Sequence, residues 1–539
     1  MTKARLAADF YQLDDLAGLD ALRAGPNWCI RALSDADAER LNSTLRRDYE
    51  NAFAPPMTRP RSSPDDTSSL LTCLPTFNHY RVAPIRPNLW LVSVESGDWT
   101  LVTDAELAGI RAKSLASPLR ERLENRFVLL TPGNLDAYVG SLRRHYAFLD
   151  DGPSLHILVV TTDCDLRCVY CQAEALPDRA GRMTPETARL CVDRSFETPA
   201  DAFTIEFQGG EPLLNMPAVQ AAIDQAHHNQ ELTGKTVQLS IVSNFARPRM
   251  DAEFRYLIEN DFGVCVSLDG PAEVHDFNRR QGHRGCFEQV KSNIRRYGEL
   301  RKEMLGKDPE MAALMTTTKK TLPYAQALVE TYRELGFEKV TVRPVAALGR
   351  GRSLSSSVAC SNEEFVAFWQ EVVGLVLDLR SAGVVAHEEL LDFSLQRLFG
   401  IDPRFLDTRS PCGAACGQVA YFVDGSMFAC DEGRMLQSPR FRLGCVTNDT
   451  LRSAVTSPAA LAVSDASIID AYGCDSCGFK PYCGACPVLH QAEDETLHSV
   501  PEKYDRCSIA KEVNKYILAR FACDQGFRDS CASIISELA

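Results

Sequence analysis

The segment TTDCDLRCVYCQ carries Cys164, Cys168 and Cys171, separated by three and then two residues. Three thiolates on one tight loop can hold three irons of a [4Fe–4S] cube and leave the fourth iron an open position for a substrate or cofactor. Thiolates are soft ligands that suit iron–sulfur clusters or zinc. A zinc loop short of one ligand is the competing reading, although such loops do not usually close the first strand of a repeated β/α unit. A second set lies far downstream. PCGAACGQVAYFVDGSMFAC places Cys412, Cys416 and Cys430, with twelve residues between Cys412 and Gly425 and four between Gly425 and Cys430. CDSCGFKPYCGAC then supplies Cys474, Cys477, Cys483 and Cys486 at spacings of two, five and two, and Cys507 follows. Paired zinc ribbons have similar CxxC pairs and are the alternative here.

Loops of this kind need a scaffold. From Leu155 to Ala347 apolar runs alternate with amphipathic, helix-length segments: LHILVVTT, AFTIEFQ, VQLSIVS, VCVSLD, MAALMTT and KVTVRPV read as strands, with helices at 184–197, 217–231, 251–260, 286–304 and 322–335. Six β units joined by helices predict a parallel sheet, because such crossovers carry helices. Thr184 as N-cap and Pro185 in the first turn mark one helix start.

Around this core the chain divides further. Residues 1–75 are an N-terminal extension ending in a proline-marked linker, Pro55 to Ser69. Residues 76–135 form a small β-then-α module, with strands YRVAPI, LWLVSV and WTLVT, a Gly97–Asp98 turn, and helices in DAELAGIRAKS and SPLRERLENRF. The α/β core spans 150–350, a helical connector 351–404 (helices at 362–382 and 387–399), the cysteine-rich domain 405–510 and a helical tail 511–539.

Composition limits the partners. At 539 residues, two to four domains are expected, and 45% hydrophobic with 24% charged residues is an ordinary globular balance. A formal charge of −14 with no Lys/Arg stripe argues against nucleic acid. No apolar run reaches bilayer length and MTKARLAADF lacks a secretory core, so no membrane and a cytoplasmic location are expected. Twenty cysteines without an export signal then read as metal ligands rather than a disulfide framework. The nine outside the two sets, Cys29, Cys73, Cys191, Cys265, Cys286, Cys360, Cys445, Cys523 and Cys531, read mostly as small buried hydrophobes.

The three-cysteine loop closing the first strand resembles the radical S-adenosylmethionine (radical SAM) superfamily over about residues 155–350. The resemblance implies a partial (β/α)6 TIM-like barrel with a [4Fe–4S] cluster at the carboxyl ends of the strands, where barrel and open α/β sites generally lie. It implies that the open iron chelates the amino and carboxylate groups of S-adenosylmethionine, whose cleavage gives a 5′-deoxyadenosyl radical. Gln208, Gly209, Gly210 and Glu211, in QGGEP, end the second strand; the glycines allow close backbone approach and Glu211 can accept bonds from the methionine ammonium. Ser243 and Asn244 in SNF, and Ser267 and Asp269 in SLDG, end the next two strands and offer polar groups to ribose and carboxylate, or are strand-end turn chemistry. Arg279, in HDFNRR, has the fork that fits a carboxylate, with Arg280 and Arg284 as competitors. Tyr170 stands where the family has an aromatic beside adenine, or it packs.

The second set resembles the SPASM extension over about residues 405–510, which in its family binds two auxiliary [4Fe–4S] clusters. The resemblance implies Cys412, Cys430 and Cys486 as ligands of the first, with Cys416 able to complete it, and Cys474, Cys477, Cys483 and Cys507 as ligands of the second. Two departures stand out: two residues rather than three separate Cys483 from Cys486, and Cys416 lies closer to Cys412 than the family's optional eighth ligand. The implied activity is hydrogen abstraction from a ribosomally made peptide and a net oxidation, such as a cross-link, completed through the auxiliary clusters. Implied partners are a peptide or protein bearing a leader, an external reductant such as flavodoxin or ferredoxin, and a companion maturase. The module at 78–132 resembles the winged-helix domain that captures leader peptides, and its sheet edge could accept an added strand; a structural cap is the alternative. CDEGRML after Cys430 resembles maturases of His-Xaa-Ser peptide systems. An anaerobic sulfatase maturase forming formylglycine is the second enzymatic reading, and a non-catalytic iron–sulfur or zinc scaffold is the rival from another class.

Overall fold

The computed structural model describes residues 74–173, 181–282, 284–308, 310–402, 406–469 and 474–538. Of the expected extension over 1–75, residues 1–73, with the linker, Cys29 and Cys73, lie outside the described residues.

A three-stranded antiparallel sheet opens the described chain: β2 (Tyr80–Arg86), β3 (Leu89–Val94) and β4 (Trp99–Val102), beside the short pair β1 (Thr76–Phe77) and β5 (Leu129–Leu130). Helices α1 (Asp104–Arg111) and α2 (Ser117–Asn125) close its core of Val92, Val94, Val102, Leu107, Ile110 and Leu123. Thr103 and Glu106 form a reciprocal capping box at the start of α1. A third helix, α3 (Leu135–His145), fills the interval between module and core that the sequence reading left empty. Its Leu135, Tyr138, Val139 and Leu142 follow a helical period, so the signal was present.

Five parallel strands come next: β6 (Leu155–Thr161), β7 (Ala202–Gly209), β8 (Thr236–Ser243), β9 (Gly263–Ser267) and β10 (Met311–Leu314). Their crossovers carry α4 (Pro185–Ser195), α5 (Met216–Thr233), α6 (Asp251–Glu259), α7 (Ala272–Asn278) and α8 (Phe287–Leu305), with α9 (Ala325–Glu334) after β10. Along β7, Phe203, Ile205 and Phe207 are buried under helices, whereas Thr204, Glu206 and Gln208 point to the half-open inner face. The amide of Thr187 donates to Thr184 at the start of α4, with Pro185 in the first turn, as its residue types predict.

The parallel-rich α/β fold of a partial barrel is therefore present, with one change at its sixth unit. KVTVRPV does not extend the sheet as a regular strand: only Lys339–Val340 (β11) is a strand, paired with His387–Glu388 (β12). The rest attaches beside β10 through a Thr317–Pro344 bridge and a bond from Thr317 N to Arg343 O of 2.7 Å. Pro344 has no amide hydrogen to continue a ladder.

At the opposite edge the sheet grows in a way the sequence did not announce. Gln418–Tyr421 (β13) pairs in parallel with β6, and Ser426–Phe428 (β14) and Arg442–Cys445 (β15) continue from it. The cysteine-rich region is thus built on the barrel's own sheet. The connector helices α10 (Asn362–Ser381) and α11 (Glu389–Leu398) pack with the C-terminal helices α13 (Asp505–Cys523) and α14 (Gln525–Leu538); α12 (Asp431–Leu436) follows Cys430. Among the described residues no helix is long and apolar enough to cross a membrane.

Candidate active site at the strand ends

The loop after β6 is held from three sides. The amide of Arg167 donates to Arg280 O at 2.8 Å, that of Val169 to Asn278 O at 2.9 Å, and that of Arg350 to Cys171 O at 2.9 Å. Gly349, at φ +52°, turns the chain here, and a Cβ on it would lie 2.3 Å from Gln172 O. At β7 the close approach is tighter still: a Cβ on Gly210 would stand 2.0 Å from Asp163 O, so only glycine fits. That approach lets the amides of Gly210 and Glu211 donate to Thr161 O and Asp163 O at 2.9 and 2.7 Å, drawing the ends of β6 and β7 together.

Sulfur-directed donors are already in place. The amide of Leu166 donates to Cys164 Sγ at 3.4 Å, and Asn244 Nδ2 reaches the same sulfur at 3.8 Å and Asp165 Oδ1 at 2.8 Å. Burial pushes the Cys164 thiol up and the Cys168 thiol to about 11, with Arg279 drawing the latter back down. Buried thiols flanked by donors and a guanidinium suit a metal cluster, whose charge replaces the lost solvation and whose properties respond to hydrogen bonds at sulfur. Three cysteines on one loop, so arranged, fit a [4Fe–4S] group. Among the described residues, no three Cys, His, Asp or Glu side chains are grouped as ligands of a single metal ion.

Glu211 is buried and engaged. Ser243 Oγ donates to its Oε1 at 2.8 Å, the Asn244 amide to Oε2 at 2.8 Å and the Leu213 amide to Oε1 at 3.1 Å. Burial pushes its carboxyl up to about 7 against those donors. Ser243 and Asn244 thus serve Glu211 and the cysteine loop in this structure. Ser267, at the end of β9, is buried as well.

Tyr170, Asp269 and Arg279 form a second buried group. Tyr170 donates its hydroxyl to Asp269 Oδ2, Arg279 Nη2 lies 3.2 Å from Asp269 Oδ1, and the guanidinium sits 5.4 Å from the Tyr170 ring centroid. The Thr316 amide adds a donor to Asp269 at 3.2 Å. Among the three competing arginines, Arg279 is the buried one; Arg280 and Arg284 are exposed. Its fork is committed to Asp269 rather than standing alone. Gln208 donates to Glu206 Oε1 at 2.6 Å and accepts from Arg434 Nη2 at 3.3 Å, a contact no motif suggested.

In the cysteine-rich region Cys412, Cys430 and Cys486 lie together: burial pushes Cys412 and Cys486 up to about 12, and each of these two thiolates raises Cys430 further. Cys430 caps α12, its sulfur accepting from the Gly433 amide at 3.2 Å. Cys416 donates to Cys412 O at 3.1 Å and neighbours Arg409. Cys474, Cys477, Cys483 and Cys507 form the other group; burial lifts Cys474 to about 12 and Cys483 to about 11, with their fellow thiolates adding to both. Arg506 faces Cys486 and Cys412 and pairs with Asp407 at 3.2 Å. The sequence reading missed Arg434 and Arg506, whose one signal is a basic residue close to a cysteine. Among the remaining cysteines, Cys191, Cys286 and Cys531 are buried, Cys265, Cys360 and Cys445 are half-buried, and Cys523 is exposed at the end of α13, against the expectation of burial.

Comparison with known proteins places this architecture. The chain is 22% identical over 340 residues to a cysteine-type anaerobic sulfatase-maturating enzyme of Clostridium novyi (strain NT), covering 61% of this chain and 86% of that protein. It is 23% identical over 334 residues to the antilisterial bacteriocin subtilosin biosynthesis protein AlbA of Bacillus subtilis (strain 168), covering 61% of this chain and 65% of that one. In fold it is similar to native anSMEcpe with bound AdoMet and Kp18Cys peptide, at TM-score 0.58 and 18% identity, covering 71% of this chain and 100% of that chain. Residues 158–306 match the family described as the radical SAM superfamily. With the cysteine loop at the end of β6 and the partial barrel around it, the chain carries a radical SAM domain over residues 158–306 and is an enzyme.

Proposed function

We propose that this enzyme modifies a peptide or protein by hydrogen abstraction and net oxidation, with Cys164, Cys168 and Cys171 holding the cluster that serves S-adenosylmethionine. The observation that carries the reading is the continuous sheet: β13 pairs with β6, so the strand leading to the first cysteine loop and the strands leading to Cys430 are neighbours. When bound, the cluster and S-adenosylmethionine supply a 5′-deoxyadenosyl radical. The chain's own residues do the rest. Glu211, braced by Ser243 and Asn244, sets the end of β7 against the loop, and Tyr170, Asp269 and Arg279 seal the ends of β6 and β9 in a buried group. Gln208 and Glu206 face the inner surface where a substrate side chain would enter.

Cys412, Cys430 and Cys486, with Cys416 beside Cys412, are the proposed ligands of one auxiliary [4Fe–4S] cluster, and Cys474, Cys477, Cys483 and Cys507 of a second. Their lining of buried thiols, with Arg506 facing Cys412 and Cys486, suits anionic clusters. Relatives named for bacteriocin biosynthesis and for a bound peptide favour a peptide substrate. The three-stranded module is the proposed peptide-recognition element. Its β2 edge is taken by Cys477–Gly478, through a bridge to Val82 and a bond from Gly478 N to Val82 O of 3.2 Å, so an added strand would use β4. A reductant such as flavodoxin or ferredoxin, a companion maturase and a cytoplasmic location belong to the same proposal.

Formylglycine formation on a Cys or Ser is the second reading, favoured by the sulfatase-maturating relative. Mass spectrometry of candidate peptides co-produced with the enzyme without oxygen separates the two. Loss of a pair of hydrogens from a product that does not react with a hydrazide probe supports the cross-linking reading. A product carrying an aldehyde that reacts with a hydrazide probe supports the second, and unmodified peptides from an iron-loaded, S-adenosylmethionine-cleaving enzyme argue against both.

A further inference from the structure

A cavity of about 560 Å³ lies where the N-terminal module, the end of α11 and the cysteine-rich region meet. Trp99, Arg397, Asp402, Arg409, Lys480 and Cys483 are among its walls. The chain as a whole carries a formal charge of −14, yet this cavity gathers cations beside a cysteine of the second downstream group. Each cation has a distinct setting. Lys480 Nζ is 2.7 Å from Glu95, and Arg409 Nη2 is 2.7 Å from Asp402 with its guanidinium over the Phe148 ring at 4.6 Å. Arg397 faces Cys483 and Asp402, and its Nη2 donates to Pro481 O at 3.0 Å, two residues before that cysteine.

We propose that Arg397 is a positioning residue that sets how readily the second auxiliary cluster takes up an electron; this rests on reading Cys474, Cys477, Cys483 and Cys507 as its ligands. An iron–sulfur cube held by four thiolates is anionic and gains one more negative charge on reduction, so a fixed cation nearby stabilises the reduced form more than the oxidised one. A guanidinium suits the task because it keeps its charge at every working pH. Its position is enforced. Trp99 Nε1 donates to Leu398 O at 2.6 Å and packs edge-on against Phe399 and Phe521, fixing the end of α11. The bond to Pro481 then ties that end to the turn leading into Cys483. The open cavity gives the site contact with solvent, through which an electron carrier could approach.

The test uses the full chain reconstituted without oxygen as wild type, Arg397→Met and Arg397→Lys, with iron and sulfide counted and each reducible centre titrated by electron paramagnetic resonance. Cys483→Ser identifies the couple in question. The proposal expects full iron in all three proteins and, in Arg397→Met alone, at least a tenfold fall in the reduced-to-oxidised ratio of that couple at fixed potential, about 59 mV for one electron. Arg397→Lys should keep the ratio within about threefold of wild type. An unmoved couple in Arg397→Met, an equal shift in both variants, or loss of iron from both would each overturn it, the last by showing a purely structural role. A wild-type chain that takes up only the first cube instead contradicts the ligand reading and removes the proposal with it.

Discussion

Gln208 on the inner face of β7 and Arg434 in α12 meet across the boundary between barrel and cysteine-rich region, Oε1 to Nη2, at 3.3 Å. Arg434 is buried and pairs with Asp431 at 2.8 Å, so one guanidinium joins the barrel wall to the helix that Cys430 caps. Replacing it strands a carboxylate and frees the helix. Arg434→Leu is expected to cost about 1–3 kcal/mol, the range for leaving a hydrogen-bonding group without its partner, seen as a lower thermal midpoint and lower iron content after reconstitution.

The Asn244 side chain touches both Cys164 Sγ and Asp165 at the loop. Asn244→Ala should leave the fold intact, because its backbone amide still reaches Glu211. The rate of 5′-deoxyadenosine release should fall about tenfold, in keeping with losses of outer-shell partners at metal sites. An unchanged rate would place the sulfur contact outside the chemistry.

Glu211 offers a sharper comparison. Its two oxygens accept three protein donors, so Glu211→Gln turns one acceptor into a donor facing the Leu213 amide or the Asn244 amide. Two donors pointed at each other should cost about 1–3 kcal/mol. The variant should also bind S-adenosylmethionine more weakly, measured by equilibrium dialysis of the iron-loaded protein.

How much of this was legible depended on whether the signal was local. The strands of the core, the Thr184–Pro185 helix start and the cysteine spacings are set by neighbours in sequence, and the structure has them. The irregular sixth unit turned on Pro344, whose missing amide hydrogen outweighed the apolar run around it. Arg434 against Gln208, and Lys480 against Glu95, bring together residues more than two hundred positions apart; no periodicity encodes such pairs. Arg279 was singled out by its fork, but its engagement with Asp269 and Tyr170 follows only from the way the loop after β6 reaches the end of β9, with β7 and β8 between the two strands.

Glu95 ties the N-terminal module to the cysteine-rich region. Burial acts to raise its carboxyl, but Lys480, Tyr146 and Arg81 more than offset that and hold it down at about 2. A carboxyl depressed on folding stabilises the protein above its unfolded value near 4.5, and that contribution disappears as pH falls from there toward 2. Acid melts should therefore show the wild type losing stability over that window, while Glu95→Gln, already weaker by about 2–3 kcal/mol at neutral pH, loses less across it.

The central claim is that Cys164, Cys168 and Cys171 hold the cluster at which S-adenosylmethionine is cleaved. The direct measurement is an iron and sulfide count on anaerobically reconstituted protein, followed by detection of 5′-deoxyadenosine after adding dithionite and S-adenosylmethionine, with a Cys164/Cys168/Cys171→Ala variant alongside. The account predicts about twelve irons per wild-type chain, about four fewer in the variant, and 5′-deoxyadenosine from the wild type alone. Zinc in place of iron, or a fully loaded wild type that releases no 5′-deoxyadenosine, would contradict it.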